Sequence, residues 1–306
     1  RRDFSINAMA IRLNGERSNI LIDYFNSQAD IKDGMIRVLH NLSFLEDPTR
    51  GFRAVRFETR FGFLIGSQTL KLLKSAIQSE LFNKLSKSRL FHEIILLLSE
   101  RRPVENLTRL ESLLLLKLIH KELTVSNEMV KLFSRVDELI AWHKLTFADP
   151  KVRRWRVRFF ALFYYMKIEH LLELEQLCGN YRKEFQAVAI LKENAPRIIG
   201  RITKNPSLKN STIYQQLRSF TIEELLFIGA VSGDKKFVDI LIRYISELKD
   251  IKPVVSGFDL EEQKIPKGPI FKQILEAILF AQLDNEVTSK ADGLKMLNRL
   301  EKRSLK

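Results

Sequence analysis

The chain has 306 residues, of which 45% are hydrophobic and 29% charged, a composition that fits a folded globular protein and excludes long disorder. The net charge of +14, from 51 lysines and arginines against 37 acidic residues, favours a polyanionic partner, nucleic acid before an anionic membrane surface. The single cysteine, Cys178, excludes an internal disulfide and a cysteine metal cage, and we expect a core thiol. The longest apolar run, 159–166, is too short to cross a bilayer, so we expect a soluble, cytoplasmic protein with no membrane partner.

Two kinds of apolar periodicity follow one another along the chain. Alternation over 9–13 and 20–24, around the turn Asn14-Gly15-Glu16, predicts a β-hairpin. Beyond residue 40, apolar residues recur at spacings of three and four, which predicts roughly nine or ten helices. These helices are expected over 70–77, 90–98, 107–119, 129–142, 157–174, 185–191, 222–230, 237–248 and 271–283. The predicted fold is therefore mainly α, with a short β-hairpin followed by an elongated multi-helix body.

The chain opens with Arg1-Arg2-Asp3-Phe4, the first of three stretches whose side chains suit chemistry. Adjacent arginines can hold a triphosphate through forked N–H donors, and an aspartate beside them can accept a hydrogen bond from a sugar hydroxyl. The alternative interpretation is an exposed, charged edge strand.

The second stretch, 46–57, carries an aspartate and three arginines at steps of three, Asp47, Arg50, Arg53 and Arg56. On a helix these steps form a slowly winding stripe, while Phe52 and Val55 face the core. A carboxylate accepts from the exocyclic amino group of cytosine or adenine and an arginine one turn on donates to the adjacent ring nitrogen, whereas uracil and guanine present the wrong pattern to both. The alternative is a salt-bridged surface helix.

Taken in chain order, these motifs occur together with two others. The set is Arg-Arg-Asp-Phe-Ser-Ile-Asn-Ala-Met-Ala at 1–10, Asp-Tyr-Phe at 23–25, Asp-Ile at 30–31 with Gly-Met-Ile-Arg at 34–37, and Phe-Leu-Glu-Asp-Pro-Thr-Arg at 44–50 followed by Arg-Ala-Val-Arg-Phe at 53–57. The set closely resembles the class II tRNA nucleotidyltransferase and bacterial poly(A) polymerase family over about residues 1–63, with weaker similarity at 88–93, 268–275 and 281–284. One departure is Asn26, which stands where the family's turn has glycine and which can take a left-handed conformation.

The resemblance implies a template-independent enzyme that adds C and A, or A alone, to the 3′ end of tRNA from CTP and ATP with Mg²⁺. It implies a nucleotide-binding site formed by Arg2, Asp3, Glu46, Asp47, Arg50, Arg53 and Arg56. In that site Arg2 and Asp3 would hold the phosphate and ribose, Asp47 and Arg50 would read the base, and Glu46 would orient the pair. The two remaining arginines would complete the site.

The resemblance also implies a domain order. Residues 1–40 would be the carboxyl-terminal remnant of a nucleotidyltransferase head, 41–103 a neck for base recognition, and 104–306 a helical body and tail that binds tRNA. Arg89 and Glu93 fall in the family's helix-stabilising motif and are expected to be structural.

The third stretch places five cations around Trp155 at a predicted helix start, namely Lys151, Arg153, Arg154, Arg156 and Arg158. They could track the phosphates of the tRNA acceptor end. The alternative is a solvated helix end with Trp155 in the core.

Metal binding is not expected within this chain. In the family the two metal-binding aspartates lie upstream of the Arg-Arg-Asp motif, where this chain begins. The histidines lack ligand spacing; they are His40, His92, His120, His143 and His170. The chain alone is therefore expected to bind nucleotide but not to catalyse, with the Mg²⁺ ligands and possible additional domains upstream. A bacterial poly(A) polymerase and a non-catalytic RNA-binding helical module stay open as alternatives, and so does the product: CCA, A, CC or poly(A).

Overall fold

The structure is a computed structural model that describes residues 2–15, 18–79, 86–147, 152–205, 208–263, 265 and 268–304, with the backbone alone for 301–304. It divides into two compact units, 1–192 and 193–306. The division falls inside the third domain predicted from the sequence, and the predicted boundaries at 40 and 103 stay predictions. In the part of the chain that is described, no helix combines the length and apolar character needed to span a membrane.

Short strands form two small sheets in the first unit. Antiparallel β1 (Ala10–Ile11) and β2 (Leu21–Ile22) pair with Ala10 opposite Ile22, which confirms the predicted hairpin. Parallel β3 (Met35–Ile36) and β4 (Leu64–Ile65) form the second sheet. Asn26 has a φ of 57° at the start of the helix that follows β2, as its place in the turn predicts.

Helices make up most of the first unit, which confirms the mainly α class. They are α1 (Ser27–Lys32), α2 (Ser43–Glu46), α3 (Arg50–Phe61), α4 (Ser67–Gln78), α5 (Lys87–Ser99), α6 (Pro103–Ser112), α7 (Asn127–Phe147), α8 (Arg154–Phe163), α9 (Ile168–Leu177) and α10 (Arg182–Thr203), the last of which crosses into the second unit. Short 3₁₀ turns lie at 5–7, 115–118 and 179–181.

Helix α3 is the central element of the candidate site. Phe52 and Val55 are fully buried, as the periodicity predicts. Gly51 lies in the first turn of α3, where an added Cβ would come within 2.9 Å of a Leu73 methyl carbon on α4. Glycine therefore allows α3 and α4 to approach closely, and α3 continues to Phe61 without a break at this position.

Two predicted helices prove to be broken. The segment 107–119 ends as a helix at Ser112, because Leu114 takes a left-handed φ of 62° and turns outward, 61% exposed. This reversal buries both Leu115 and Leu116. On one continuous helix the four consecutive leucines 113–116 would point in different directions and could not all face the core. The segment 157–174 is likewise interrupted between α8 and α9.

The second unit contains α11 (Asn210–Leu217), α12 (Ile222–Ser232), α13 (Lys235–Arg243) with a π turn to Leu248, α14 (Gly257–Glu262), α15 (Pro269–Leu283) and α16 (Lys290–Ser304). Thr221 begins α12 with a capping box to Glu224, which satisfies free N–H groups of the first turn. The core of the second unit includes the buried residues Leu260, Ile278 and Leu297.

Candidate functional site

Asp3 lies buried beneath the first turns of α3. Its Oδ1 accepts a hydrogen bond from Nδ2 of Asn7 at 3.1 Å, and its Oδ2 accepts from Nε of Arg53 at 2.7 Å and lies 2.6 Å from Nη2. Burial would raise the pKa of Asp3, but these bonds and the Arg53 charge lower it overall. Asp3 is therefore a fixed, ionised carboxylate that ties the start of the chain to α3.

Ion pairs continue from Arg53 along the contact between α3 and α5. Glu93 Oε1 lies 3.8 Å from Arg53 Nη1, and its Oε2 lies 3.6 Å from Arg56 Nη1. Arg56 Nε lies 4.0 Å from Glu100, which also lies 3.6 Å from Arg60 Nη1. Burial raises the pKa of Glu93. The charges of Arg56 and Arg53 act in the opposite direction but do not cancel this effect. Arg56 is buried in this row of charges, which joins α3 to α5.

Asp47 lies outside α3, so the predicted four-residue stripe is wrong at its first member. Asp47 follows α2 in an extended conformation, φ −148° and ψ 96°, because a residue before proline, here Pro48, is disfavoured from helical geometry. Its Oδ1 accepts from the backbone N–H and the hydroxyl of Thr49, at 3.1 and 2.6 Å. Its Oδ2 lies 3.0 Å from Arg89 on α5. These partners fix the carboxylate immediately before α3 begins.

Arg50, the first residue of α3, is buried with its guanidinium directed back toward α2. Nη1 donates to the carbonyl and the hydroxyl oxygens of Ser43, at 2.9 and 2.7 Å, and lies 3.6 Å from Oε2 of Glu46. Nε2 of His40 lies 3.4 Å from the same Glu46 oxygen. Glu46 thus bridges His40 and Arg50, while Nε and Nη2 of Arg50 have no partner among the described residues.

A cleft of about 600 Å³ opens beside these groups and is lined by Arg2, Ala8, Phe25, Leu39, His40, Leu42 and Glu46. It brings together two predicted site residues, Arg2 and Glu46, with exposed apolar side chains. His40 is a member that the sequence analysis missed. Its separation from Glu46 spans a loop and a short helix, so it follows no period that would have marked it.

The third arginine-rich stretch is divided by the fold. Arg153 and Arg154 are exposed at the start of α8, whereas Lys151 lies outside the described residues. Arg156 is mostly buried, with its guanidinium carbon 5.1 Å from the centre of the Phe160 ring.

Arg158 requires a correction to the predicted RNA surface. It is 4% exposed, and its guanidinium donates to Asp137 at 2.7 Å and to the carbonyls of Leu98 and Glu100 at 2.7 and 2.8 Å. These three bonds inside the first unit direct the side chain away from solvent, because they join α7 and the end of α5 to α8. Arg158 therefore belongs to the core and not to a phosphate-binding surface.

A metal site does not fit the residues at hand. No group of three or more His, Cys, Asp or Glu among the described residues could hold a metal ion. Asp23 accepts from the backbone N–H groups of Gln28 and Ser27, which lower its pKa to about 2. Asp30 is buried against Ser5 and Arg37. Both aspartates are thus occupied in holding α1 in place.

Comparison with known proteins assigns this arrangement to a class. The family of the poly(A) polymerase head domain matches residues 1–37. The A-adding tRNA nucleotidyltransferase of Geobacter sulfurreducens is 35% identical over 304 residues, 98% of this chain and 34% of that protein. The A-adding tRNA nucleotidyltransferase of Halalkalibacterium halodurans is 31% identical over 96% of this chain and 66% of that protein. The chain therefore spans about a third and just under two thirds of the length of these relatives.

Solved structures agree with this assignment. The Thermotoga maritima CCA-adding enzyme in complex with tRNA superposes with a TM-score of 0.74 and 27% identity, covering 98% of this chain and 72% of that chain. A CCA-adding enzyme in complex with ATP gives a TM-score of 0.76 and 28% identity, over 98% of this chain and 70% of that chain. The chain belongs to the class II tRNA nucleotidyltransferase and bacterial poly(A) polymerase family.

Proposed function

We propose that this chain contributes base recognition and RNA binding to template-independent nucleotidyl transfer onto the 3′ end of tRNA in the cytoplasm, with ATP as the nucleotide added and CTP as a second nucleotide whose base the site accepts. The observation that carries the proposal is the cleft lined by Arg2 and Glu46. Glu46 also contacts Arg50, and the adjacent residue in the sequence, Asp47, has its carboxylate fixed by Thr49. Both relatives described above are named A-adding, which favours addition of A over CCA and poly(A).

Base selection would rest on two groups that the fold holds through separate partners. Thr49 positions the Asp47 carboxylate through two hydrogen bonds to Oδ1, and the carboxylate would accept from the amino group of adenine or cytosine. Ser43 holds Nη1 of Arg50, so Nε and Nη2 would donate to the ring nitrogen. Because both groups are preorganised, uracil or guanine would leave polar groups unpaired at a cost of roughly 1–3 kcal/mol each.

The remaining predicted residues would serve the sugar and phosphates. Arg2 is exposed at the cleft and would bind phosphate as a forked donor. Asp3 already accepts from Asn7 and Arg53, and a carboxylate has about four acceptor positions, so one on Oδ1 is available to a ribose hydroxyl. Arg53 would act by holding Asp3, and Arg56 by supporting Arg53 through Glu93.

RNA binding would use the exposed part of the third stretch. Arg153 and Arg154 face solvent and would neutralise phosphates of the tRNA acceptor end, and Arg156 would support the same helix start. Nucleotidyl transfer also uses Mg²⁺ in this family. Because the described residues do not fit a metal site, no step of the reaction is assigned to a metal bound by them.

The test of base selection is the variant Asp47→Asn in nucleotide-binding measurements with ATP, CTP, GTP and UTP, by calorimetry on the full chain. The wild type should bind ATP and CTP about tenfold or more tighter than GTP and UTP, because one unpaired polar group costs about that factor. Asp47→Asn should remove most of this preference, since an amide donates where the carboxylate only accepts.

Arg89→Ala is the matched control. It removes the same ion pair of Asp47 but keeps the carboxylate and both Thr49 bonds, so the preference should persist. Equal wild-type affinity for all four nucleotides would refute the proposed function. An unchanged preference in Asp47→Asn would assign base selection to other groups.

A further inference from the structure

A second cavity, of about 620 Å³, lies at the opposite end of α3 from the candidate nucleotide cleft. It is formed by the last residues of α3 and its C-cap, 59–62, and by the segment 99–102 that joins α5 to α6. Arg50 and Phe61 are separated by roughly 16 Å along the helix axis at 1.5 Å per residue, so the two spaces are distinct. None of the residues around this cavity has a role in the proposed nucleotide site.

Buried contacts fix the walls of this cavity. Arg158 lies behind the segment 99–102 and binds the carbonyls of Leu98 and Glu100. The carboxylate of Glu100 is 3.6 Å from Arg60 and 4.0 Å from Arg56. Because Arg158 satisfies carbonyl groups at the end of α5, it also offsets the partial negative charge that a helix C-terminus would direct at an anion.

Three arginines and one carboxylate border the space, so its charge is positive. Arg60 is paired with Glu100, whereas Arg101 has no partner among the described residues and is exposed. Arg102 lies 3.3 Å from Glu105, but both side chains are more than half exposed, and such a pair contributes little and is readily exchanged. Arg101 and Arg102 can therefore turn to a phosphate.

Phe61 adds an aromatic surface to these charges. It is 48% exposed at the cavity, and its ring is supported by Phe57, stacked at a centroid distance of 5.7 Å. The guanidinium carbon of Arg60 lies 5.6 Å from its centroid. A supported, exposed aromatic ring beside arginines is the arrangement on which bases of single-stranded nucleic acids stack, while the arginines bind the backbone.

We propose that this cavity binds an unpaired nucleotide of an RNA strand, with the base on Phe61 and the flanking phosphates on Arg101 and Arg102. The identity of the strand as RNA rests on the proposed function, whereas the site itself does not. Helical duplex RNA is disfavoured here because its bases are stacked on one another and cannot reach Phe61.

The experiment measures the affinity of the full chain for a fluorescent, unstructured 12-nucleotide RNA and for a duplex of the same length, by anisotropy at several salt concentrations. Phe61→Ala should weaken single-strand binding about tenfold and leave duplex binding within twofold. Phe61→Tyr should retain the wild-type affinity because it keeps the aromatic face. The double variant Arg101→Ala/Arg102→Ala should reduce the slope of log K against log salt by about 1.4, since each single-strand phosphate contributes about 0.7.

Arg197→Ala is the matched control for the arginines. Arg197 is 65% exposed and paired with Glu193 at 3.1 Å, which closely matches Arg102 at 64% and its pair with Glu105. Its removal should leave the affinity and the salt slope unchanged. Melting temperatures of all variants should lie close to that of the wild type, because Phe61, Arg101 and Arg102 are all exposed.

Unchanged single-strand affinity in Phe61→Ala would overturn the proposal, even if the arginine variant binds more weakly, because a charged surface without stacking would then suffice. Equal losses in Arg197→Ala and the arginine pair would overturn it as well. Failure of the proposed function has a different signature, which is equal affinity for all four nucleotide triphosphates. That result with a Phe61-dependent single-strand affinity would leave this second site standing.

Discussion

The arginines of α3 and those around the start of α8 differ in the acceptors that bind them and in how far they are buried. On α3 each arginine of the predicted stripe lies near a carboxylate, as in the contacts of Arg53 with Asp3 and Glu93. At the start of α8 the first two arginines face solvent, while Arg158 is enclosed and bound mainly by backbone carbonyls. The difference shows that an arginine's role follows from the acceptors that neighbouring helices bring to it.

The neighbouring helix α5 supplies some of those acceptors in both regions. It carries Glu93 toward α3, and at its end it presents the carbonyls of Leu98 and Glu100 toward α8. A buried guanidinium needs its N–H donors satisfied, because each unpaired group loses the hydrogen bonds it would make in water. Arg158 therefore holds three elements together, and Arg53 joins the start of the chain to α3.

Removing the enclosed arginine of α8 should have the largest effect. Arg158→Ala should lower the free energy of unfolding by about 3 kcal/mol, because it leaves the buried Leu98 carbonyl, the half-buried Glu100 carbonyl and Asp137 without their donor. Urea denaturation measures this loss. Arg154→Ala, four residues away and exposed, should stay within about 0.5 kcal/mol of the wild type. Equal effects of the two substitutions would break the distinction between them.

Removing the carboxylate that faces α3 should have a smaller effect that depends on pH. Asp3→Asn should lower the free energy of unfolding by roughly 2 kcal/mol at pH 7, because it loses charge-assisted hydrogen bonds from Arg53. The folded protein lowers the pKa of Asp3. Its contribution is therefore present above the ordinary aspartate pKa and is lost as the pH falls through the lowered value.

Urea midpoints measured between pH 7 and pH 3 test this dependence. The difference between wild type and Asp3→Asn should shrink as the pH falls. Asp250→Asn is the control, because the Asp250 side chain is 88% exposed and its replacement should leave the pH dependence of the wild type in place. A constant difference across this range would mean that Asp3 contributes by packing and not by its charge.

The structure could be predicted from the sequence where apolar residues repeat with the period of a strand or a helix. The alternation in the hairpin and the apolar faces of α3, α5, α7 and α15 follow from the periods of strands and helices, and Phe52 and Val55 are buried as expected. The family resemblance predicted the nucleotide-binding residues from the order of the motifs along the sequence, and their roles stay predictions.

The failures arise where several elements compete for the same residues. Leu114 lies outside the predicted helix 107–119, and its left-handed conformation allows its neighbours to be buried. Asp47 lies outside α3 because Pro48 constrains its backbone. The burial of Arg158 depends on carbonyls some 60 residues away in sequence, and the place of His40 depends on a loop. None of these relations has a local period, so they require the tertiary structure.

The exposed arginines of α8 should show the smallest change, and it concerns binding rather than stability. Arg153→Ala/Arg154→Ala should weaken tRNA binding and lower the slope of log K against log salt by about 1.8, because each duplex phosphate contact contributes about 0.9. Urea midpoints should be unchanged, since both side chains are exposed. An unchanged salt slope would show that tRNA does not reach this helix start. Arg158 lies on the buried side of the same helix. A loss of tRNA binding without a loss of stability would therefore show that the two exposed arginines bind RNA, whereas Arg158 stabilises the fold.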